Sequence, residues 1–167
     1  MSLDLTLRNR QWTHPVDIRR LRHVCTTLLA ELPRVKNAEL GVTLVAAPEM
    51  ARINVQFLQH EGSTDVITFD YSDVTDPRPQ HSNPRPKLHG ELFICLDEAA
   101  LQARRFRTTW QSELVRYIIH GTLHLLGYDD HRAADRRAMK REENRLLHLL
   151  GLRFPLSGLA RKSRLHA

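Results

Sequence analysis

Between His120 and His131 the chain reads HGTLHLLGYDDH, three histidines and two aspartates set among Leu123, Leu125 and Leu126. The apolar neighbours offer these side chains no polar partner, so each is either satisfied by core hydrogen bonds or holds a ligand. His120 and His124 are four apart in a stretch of helical apolar spacing, which puts both rings on one face about one turn apart, within reach of a single ion. Imidazole suits zinc, and two histidines at this spacing are the recurring helical half of a catalytic zinc site. Gly127, three residues after His124, can end the helix and turn the chain back so that a residue just beyond it supplies a third ligand. In the pattern H-x-x-x-H-x-x-G-x-x-ligand that slot falls on Asp130, with His131 one residue later. Carboxylate oxygen and imidazole nitrogen bind zinc at nearly the same distance; register favours Asp130, and an all-histidine site favours His131. Either set leaves a fourth position for water, whose pKa zinc lowers to about 7, the arrangement of a hydrolase carrying one zinc per chain.

Three alternatives stand beside this. Zinc peptidases carry a glutamate base directly after the first histidine; here that residue is Gly121, so a metallopeptidase would need its base elsewhere. In a non-catalytic module the metal would only pin helices together. In a histidine cluster satisfied by hydrogen bonds there would be no metal at all.

The elements that must position these residues are legible in the apolar periodicity. Leu3, Leu5 and Leu7 alternate with polar residues as in a half-buried strand. His14-Pro15 opens a helix that carries Ile18, Leu21, Val24, Cys25, Leu28 and Leu29 until Pro33 stops it. A second strand is expected over Glu39 to Ala47, and Pro48 suits the first turn of a helix reading PEMARINVQFLQ. STDVITFDY is a third strand, LHGELFICL a fourth, and the proline-rich stretch from Ser72 to Lys87 between them a loop. Helices follow over Asp97 to Arg107, from a cap at Thr108, Thr109 or Ser112 to Gly127, and from about Ala133 to Gly151. The basic tail, 152–167, lacks periodicity and is expected to be partly disordered, leaving one domain over 1–151. Glu91, on the fourth strand, is a possible base but reads more simply as the partner of an arginine. Glu142 and Glu143 read as surface ion pairs on the last helix.

Composition sets the frame. The chain has 167 residues, 41% of them hydrophobic and 26% charged, which suits one globular domain. No apolar run approaches the roughly 18 residues of a membrane span. The opening MSLDLTLRNRQW lacks the apolar core of a secretory signal, so a cytoplasmic protein is expected. Cys25 and Cys95 each sit alone in apolar surroundings and read as small buried hydrophobes. A net charge of +6, carried mostly by arginine, suits phosphate contacts and makes a nucleic-acid partner plausible.

HGTLHLLGYDDH is similar to H-G-x-L-H-L-x-G-Y-D-H, the signature of the YbeY family of bacterial endoribonucleases, with Gly121, Leu123, Leu125, Gly127, Tyr128 and Asp129 matching as well as the histidines. Asn54-Val55-Gln56-Phe57 with Gly62 to Phe69 resembles a second block of that family, and Gly90 to Ile94 a third; together the likeness spans about Leu3 to Gly151. The resemblance implies a single α+β domain, with a small, mostly four-stranded mixed sheet packed by about five helices and a metalloprotease-like zinc site facing a cleft beside the third strand. It further implies zinc-dependent, single-strand-specific RNA cleavage in 16S ribosomal RNA 3′-end maturation and ribosome quality control. The partners would be ribosomal RNA and the small ribosomal subunit or its proteins, with no membrane and no organic cofactor. Two departures accompany it. Asp130 intervenes where the family's third histidine ligand directly follows Tyr-Asp, and Leu58 stands where the family has a substrate-contacting arginine. The candidates for substrate contact are therefore His60, Arg52 and Arg116.

Overall fold

The computed structural model describes residues 2–33, 35–72 and 87–162. Four strands, β1 (Ser2–Asn9), β2 (Asn37–Val45), β3 (Val66–Asp70) and β4 (Lys87–Cys95), form a mixed sheet in the order β1-β2-β4-β3. β1, β2 and β4 run parallel, and β3 pairs antiparallel with β4 along the edge. Five α-helices complete the α+β domain: α1 (Ile18–Glu31), α2 (Ala47–Ile53), α3 (Leu96–Phe106), α4 (Trp110–Leu125) and α5 (Ala133–Arg153).

Alternation along the strands divides the sheet into two unlike faces. Leu5, Leu40, Val42, Leu88, Leu92 and Ile94 are buried toward the helices, where they meet the apolar stripes of α1, α4 and α5 in the main core. The other face is open and polar over most of its area, with Arg8 ion-paired to Glu91 at 3.7 Å and Tyr71 donating to Glu91 at 3.1 Å. Glu91 is thus engaged with an arginine, far from the histidine pair's side of the sheet. At the β3–β4 end α2 covers this face, burying Val45, Met50, Ile53, Ile67 and Cys95 in a smaller core with Phe69 and Phe93. Both cysteines are buried and free, and burial pushes the Cys25 thiol up to about 12, leaving it inert.

Three local features depart from the sequence expectations. α1 starts at Ile18 because Asp17 caps it, its carboxylate accepting from Arg20 N at 3.0 Å, while Val16 forms an antiparallel bridge with Ala160. The helix expected through Gln59 leaves α geometry after Ile53. Over Asn54–Leu58 it widens into a π turn, closed by Gln59 N on Asn54 O with Gln59 in the left-handed region at φ 56°. The buried Asn54 side chain donates to Gly62 O at 3.0 Å and ties this turn to the approach of β3. Finally, α5 runs past Gly151 to Arg153, followed by a 3-10 turn at Leu156–Leu159. Asp17 N donates to Leu159 O and Arg161 N to Pro15 O, both at 2.8 Å, so residues 152–162 pack against the start of α1 and the expected boundary at 151 falls inside a helix. The proline-rich loop, apart from Ser72 and Lys87, and residues 163–167 lie outside the described residues.

Candidate metal centre

α4 lies against β3 and β4. Thr109 caps its start by accepting from Ser112 N at 3.1 Å. Gly121 permits the close approach to the sheet: a Cβ there would stand 2.7 Å from Leu92 Cδ2 and 3.2 Å from Thr68 Cγ2. The position that bears glutamate in zinc peptidases therefore faces packed side chains here, with no room for a longer residue. At the other end Gly127 adopts φ 98°, with Gly127 N on His124 O at 2.9 Å and Tyr128 N on Leu123 O at 3.0 Å. This pair of bonds is a Schellman motif, the reversal that the glycine's offset implied. Asp129 then braces the following loop, its Oδ1 accepting from Asp130 N at 2.7 Å and His131 N at 3.2 Å.

The result is a convergence of three ligand atoms. His120 Nε2 and His124 Nε2 are 3.1 Å apart, and Asp130 Oδ2 lies 3.9 Å from the first and 3.6 Å from the second. Two ligands bonded at about 2.0–2.1 Å to a tetrahedral zinc are about 3.3 Å apart, so these edges suit one ion. The far sides of the rings fix what the near sides present. His124 Nδ1 is 3.0 Å from Tyr128 O, and His120 Nδ1 is 3.0 Å from Glu143 Oε2. A carbonyl can only accept, and so can an ionised carboxylate, so both Nδ1 atoms carry hydrogen, the tautomer that leaves Nε2 as the ligand atom on each ring, aimed at the other and at Asp130. Burial and the neighbouring His120 push His124 below the ordinary imidazole value, outweighing Asp130, which disfavours protonation of this ring. Three electron-rich atoms facing one point call for a cation.

Glu143 holds this arrangement from behind. It is 3% exposed on α5 and also accepts from Arg116 Nη1 at 2.8 Å and Lys140 Nζ at 3.0 Å. Burial alone would raise its pKa, but the hydrogen bonds from His120, Arg116 and Lys140 win and hold it at about 2. A carboxylate behind a metal-binding histidine fixes its tautomer and ring orientation. The expectation of a surface pair for Glu143 is corrected by its burial; Glu142 does pair, with Arg145 at 2.6 Å, three residues away where a partner four away was expected.

Of the other sequence candidates, His131 points away: its side chain is 88% exposed, with Nε2 3.6 Å from Asp129. Asp129, Asp130 and His131 also lie within mutual reach, but in a more exposed grouping. Arg116 lines a cavity beside the histidines, committed to Glu143 and Asn144. Arg52 is exposed on α2, and His60 is exposed beyond the π turn; neither is among the described residues lining that cavity. Leu58 is 44% exposed on the π turn itself.

Comparison with known proteins decides the family. The model of the family described as Endoribonuclease YbeY matches residues 6–151, nearly the whole domain. The chain belongs to the YbeY family.

Among proteins named Endoribonuclease YbeY, one from Parabacteroides distasonis is 36% identical over 122 residues, 73% of this chain and 78% of its own length. One from Geobacter sulfurreducens is 32% identical over 155 residues, 89% of this chain and 96% of its own. An Anaeromyxobacter relative is 40% identical over 134 residues, with 80% of this chain matched to 65% of the relative. A solution structure of a Thermotoga maritima protein superposes with a TM-score of 0.63 at 20% identity, covering 99% of both chains, and supports the fold alone. The YbeY-like residues around the histidines now have physical roles: Gly121 for close packing, Leu123 and Leu125 for the core, Gly127 for the reversal, Tyr128 for the carbonyl that orients His124, and Asp129 for the loop.

Proposed function

We propose that this YbeY-family protein is a zinc-dependent endoribonuclease that cuts single-stranded RNA, working in the cytoplasm on 16S ribosomal RNA 3′-end maturation and ribosome quality control with the small ribosomal subunit as its partner. The observation that carries the reading is the convergence of His120 Nε2, His124 Nε2 and an Asp130 carboxylate oxygen, with the Nδ1 side of each ring held by Glu143 or the Tyr128 carbonyl. The family match supports RNA as substrate, and the net charge of +6 suits a polyanion.

In this reading His120, His124 and Asp130 hold the ion, and His131 stays in solvent. When bound, zinc supplies Lewis acidity toward a phosphoryl oxygen and a water acidic enough to react near neutral pH. Glu143 holds a hydrogen on His120 Nδ1 and the Tyr128 carbonyl holds one on His124 Nδ1, which orients each Nε2 toward the ion. The cationic side chains lining the adjoining cavity face the RNA backbone, while Arg116, engaged by Glu143 and Asn144, positions the carboxylate behind His120.

The test is to assay zinc content, cleavage of single-stranded RNA and cleavage of an unstructured protein on one preparation, before and after chelation and after zinc is restored. The expected result is about one zinc per chain, RNA cut only when zinc is present, and protein substrate intact. Protein cleavage with RNA untouched would establish the peptidase. Unfolding on chelation with no cleavage of either substrate would leave a metal-stabilised, non-catalytic ribosome-biogenesis factor.

A further inference from the structure

A cavity of about 450 Å³ between α4 and α5 opens directly beside the histidine pair, with His120, Asp130 and Glu143 in its wall. Anything seated in it is adjacent to the metal centre. Its volume lies in the range of small-ligand sites, roughly 300–1,000 Å³. Met139 and the largely buried Tyr117 give it apolar wall, and four cations, Arg116, Arg136, Arg137 and Lys140, line it against the carboxylates of Asp65, Asp130 and Glu143.

These four cations are not equivalent. Arg116 and Lys140 are hydrogen-bonded to Glu143 at 2.8 and 3.0 Å, which spends them on the carboxylate behind His120. Arg136 donates to the carbonyls of Asp130 and His131 at 3.1 and 3.4 Å and so braces the loop that delivers Asp130. Arg137 is exposed, lines the same cavity, and has no hydrogen bond or ion pair with any described residue. Its guanidinium fork is the uncommitted donor set at the mouth of the site, and a phosphate is the group that such a fork takes bidentately.

We infer that this cavity is the subsite for a nucleotide adjoining the bond to be cut, with Arg137 binding that nucleotide's own phosphate while its sugar or base lies against Met139 and Tyr117. The inference rests on the RNA-cutting reading above and adds a place for a second unit of the substrate. An apolar wall with one cation free among the described residues, next to an ion site, matches the alternation of flat apolar and anionic parts along a nucleic acid strand. Arg137 acts in binding, so its loss should weaken substrate capture and leave both the chemical step and the ion site intact.

The experiment compares zinc-loaded wild type with Arg137→Gln, Arg137→Lys and, as a charge-matched control on the exposed surface of α3, Arg104→Gln. It measures kcat and KM on a single-stranded RNA oligonucleotide over a series of salt concentrations, together with zinc content. Arg137→Gln should raise KM roughly 10-fold, as expected for loss of a charge-assisted hydrogen bond, with kcat and zinc content unchanged. Its salt slope should flatten by about 0.7, the loss of one phosphate contact on a single strand. Arg137→Lys should recover part of the KM, and Arg104→Gln should match wild type. A KM and salt slope unchanged in Arg137→Gln, an equal effect from Arg104→Gln, or loss of zinc would each overturn the subsite while leaving wild-type cleavage to support the parent reading. Wild-type protein that cuts no RNA would overturn both.

Discussion

At the scale of single residues, the centre depends on groups that do not touch the ion as much as on those that would. Glu143 is the main case. It sits in the charged run KREEN, and that composition suggests a solvated helix face. Its burial was nevertheless written in the spacing: Met139, Glu143, Leu146 and Leu150 recur at helical intervals, so Glu143 occupies the buried stripe of α5. The pairing of His120 with His124 was legible in their spacing, and register pointed to Asp130 with His131 as its rival; what periodicity could not show is the Asp129-braced loop that brings Asp130 toward the pair and leaves His131 exposed. Two outcomes follow for Glu143. Glu143→Gln should weaken zinc binding roughly 10–100-fold by loosening the His120 ring, measured by competition with a chelating dye. The pH dependence has a definite sign. Held at about 2 against an ordinary value of 4.5, Glu143 stabilises the fold fully above pH 4.5, and this contribution is lost as pH falls from 4.5 toward 2. Thermal unfolding of the zinc-free protein should therefore show a wild-type melting temperature that drops more steeply through that window than the Glu143→Gln melting temperature does.

At the scale of elements, the strands and the long helices were legible because each has one buried face, and its period of two or 3.6 is imposed by that burial. The π turn at Asn54–Leu58 was not. Its wider ladder is set by Gln59 N reaching Asn54 O and by the Asn54 amide bonding Gly62 O, long-range choices that leave the local apolar pattern looking helical. The continuation of α5 beyond Gly151 was missed for a related reason. Glycine is only a permitted stop, and here contacts between residues 152–162 and the start of α1 carry the helix through. The position of α4 makes the sharper prediction. Gly121→Ala would drive a methyl into Leu92 and Thr68, and overpacking of this kind costs about 1–3 kcal/mol. Denaturant unfolding should show that loss, and zinc affinity should fall with it, because α4 carries both histidines.

At the scale of the whole molecule, the fold sets one helix against an edge of the sheet, reverses the chain with a glycine, and lays α5 alongside so that His120, His124, Asp130 and Glu143 meet at the rim of a cationic cavity. The central proposal is that His120, His124 and Asp130 hold the ion with which this YbeY-family protein cuts RNA. The most direct measurement is zinc content and single-stranded RNA cleavage on the same preparations of wild type, Asp130→Ala and His131→Ala. Wild type and His131→Ala should hold about one zinc per chain and cleave fully, and Asp130→Ala should lose both. Loss of both in His131→Ala with Asp130→Ala intact, or a wild-type protein that binds no metal, would contradict it.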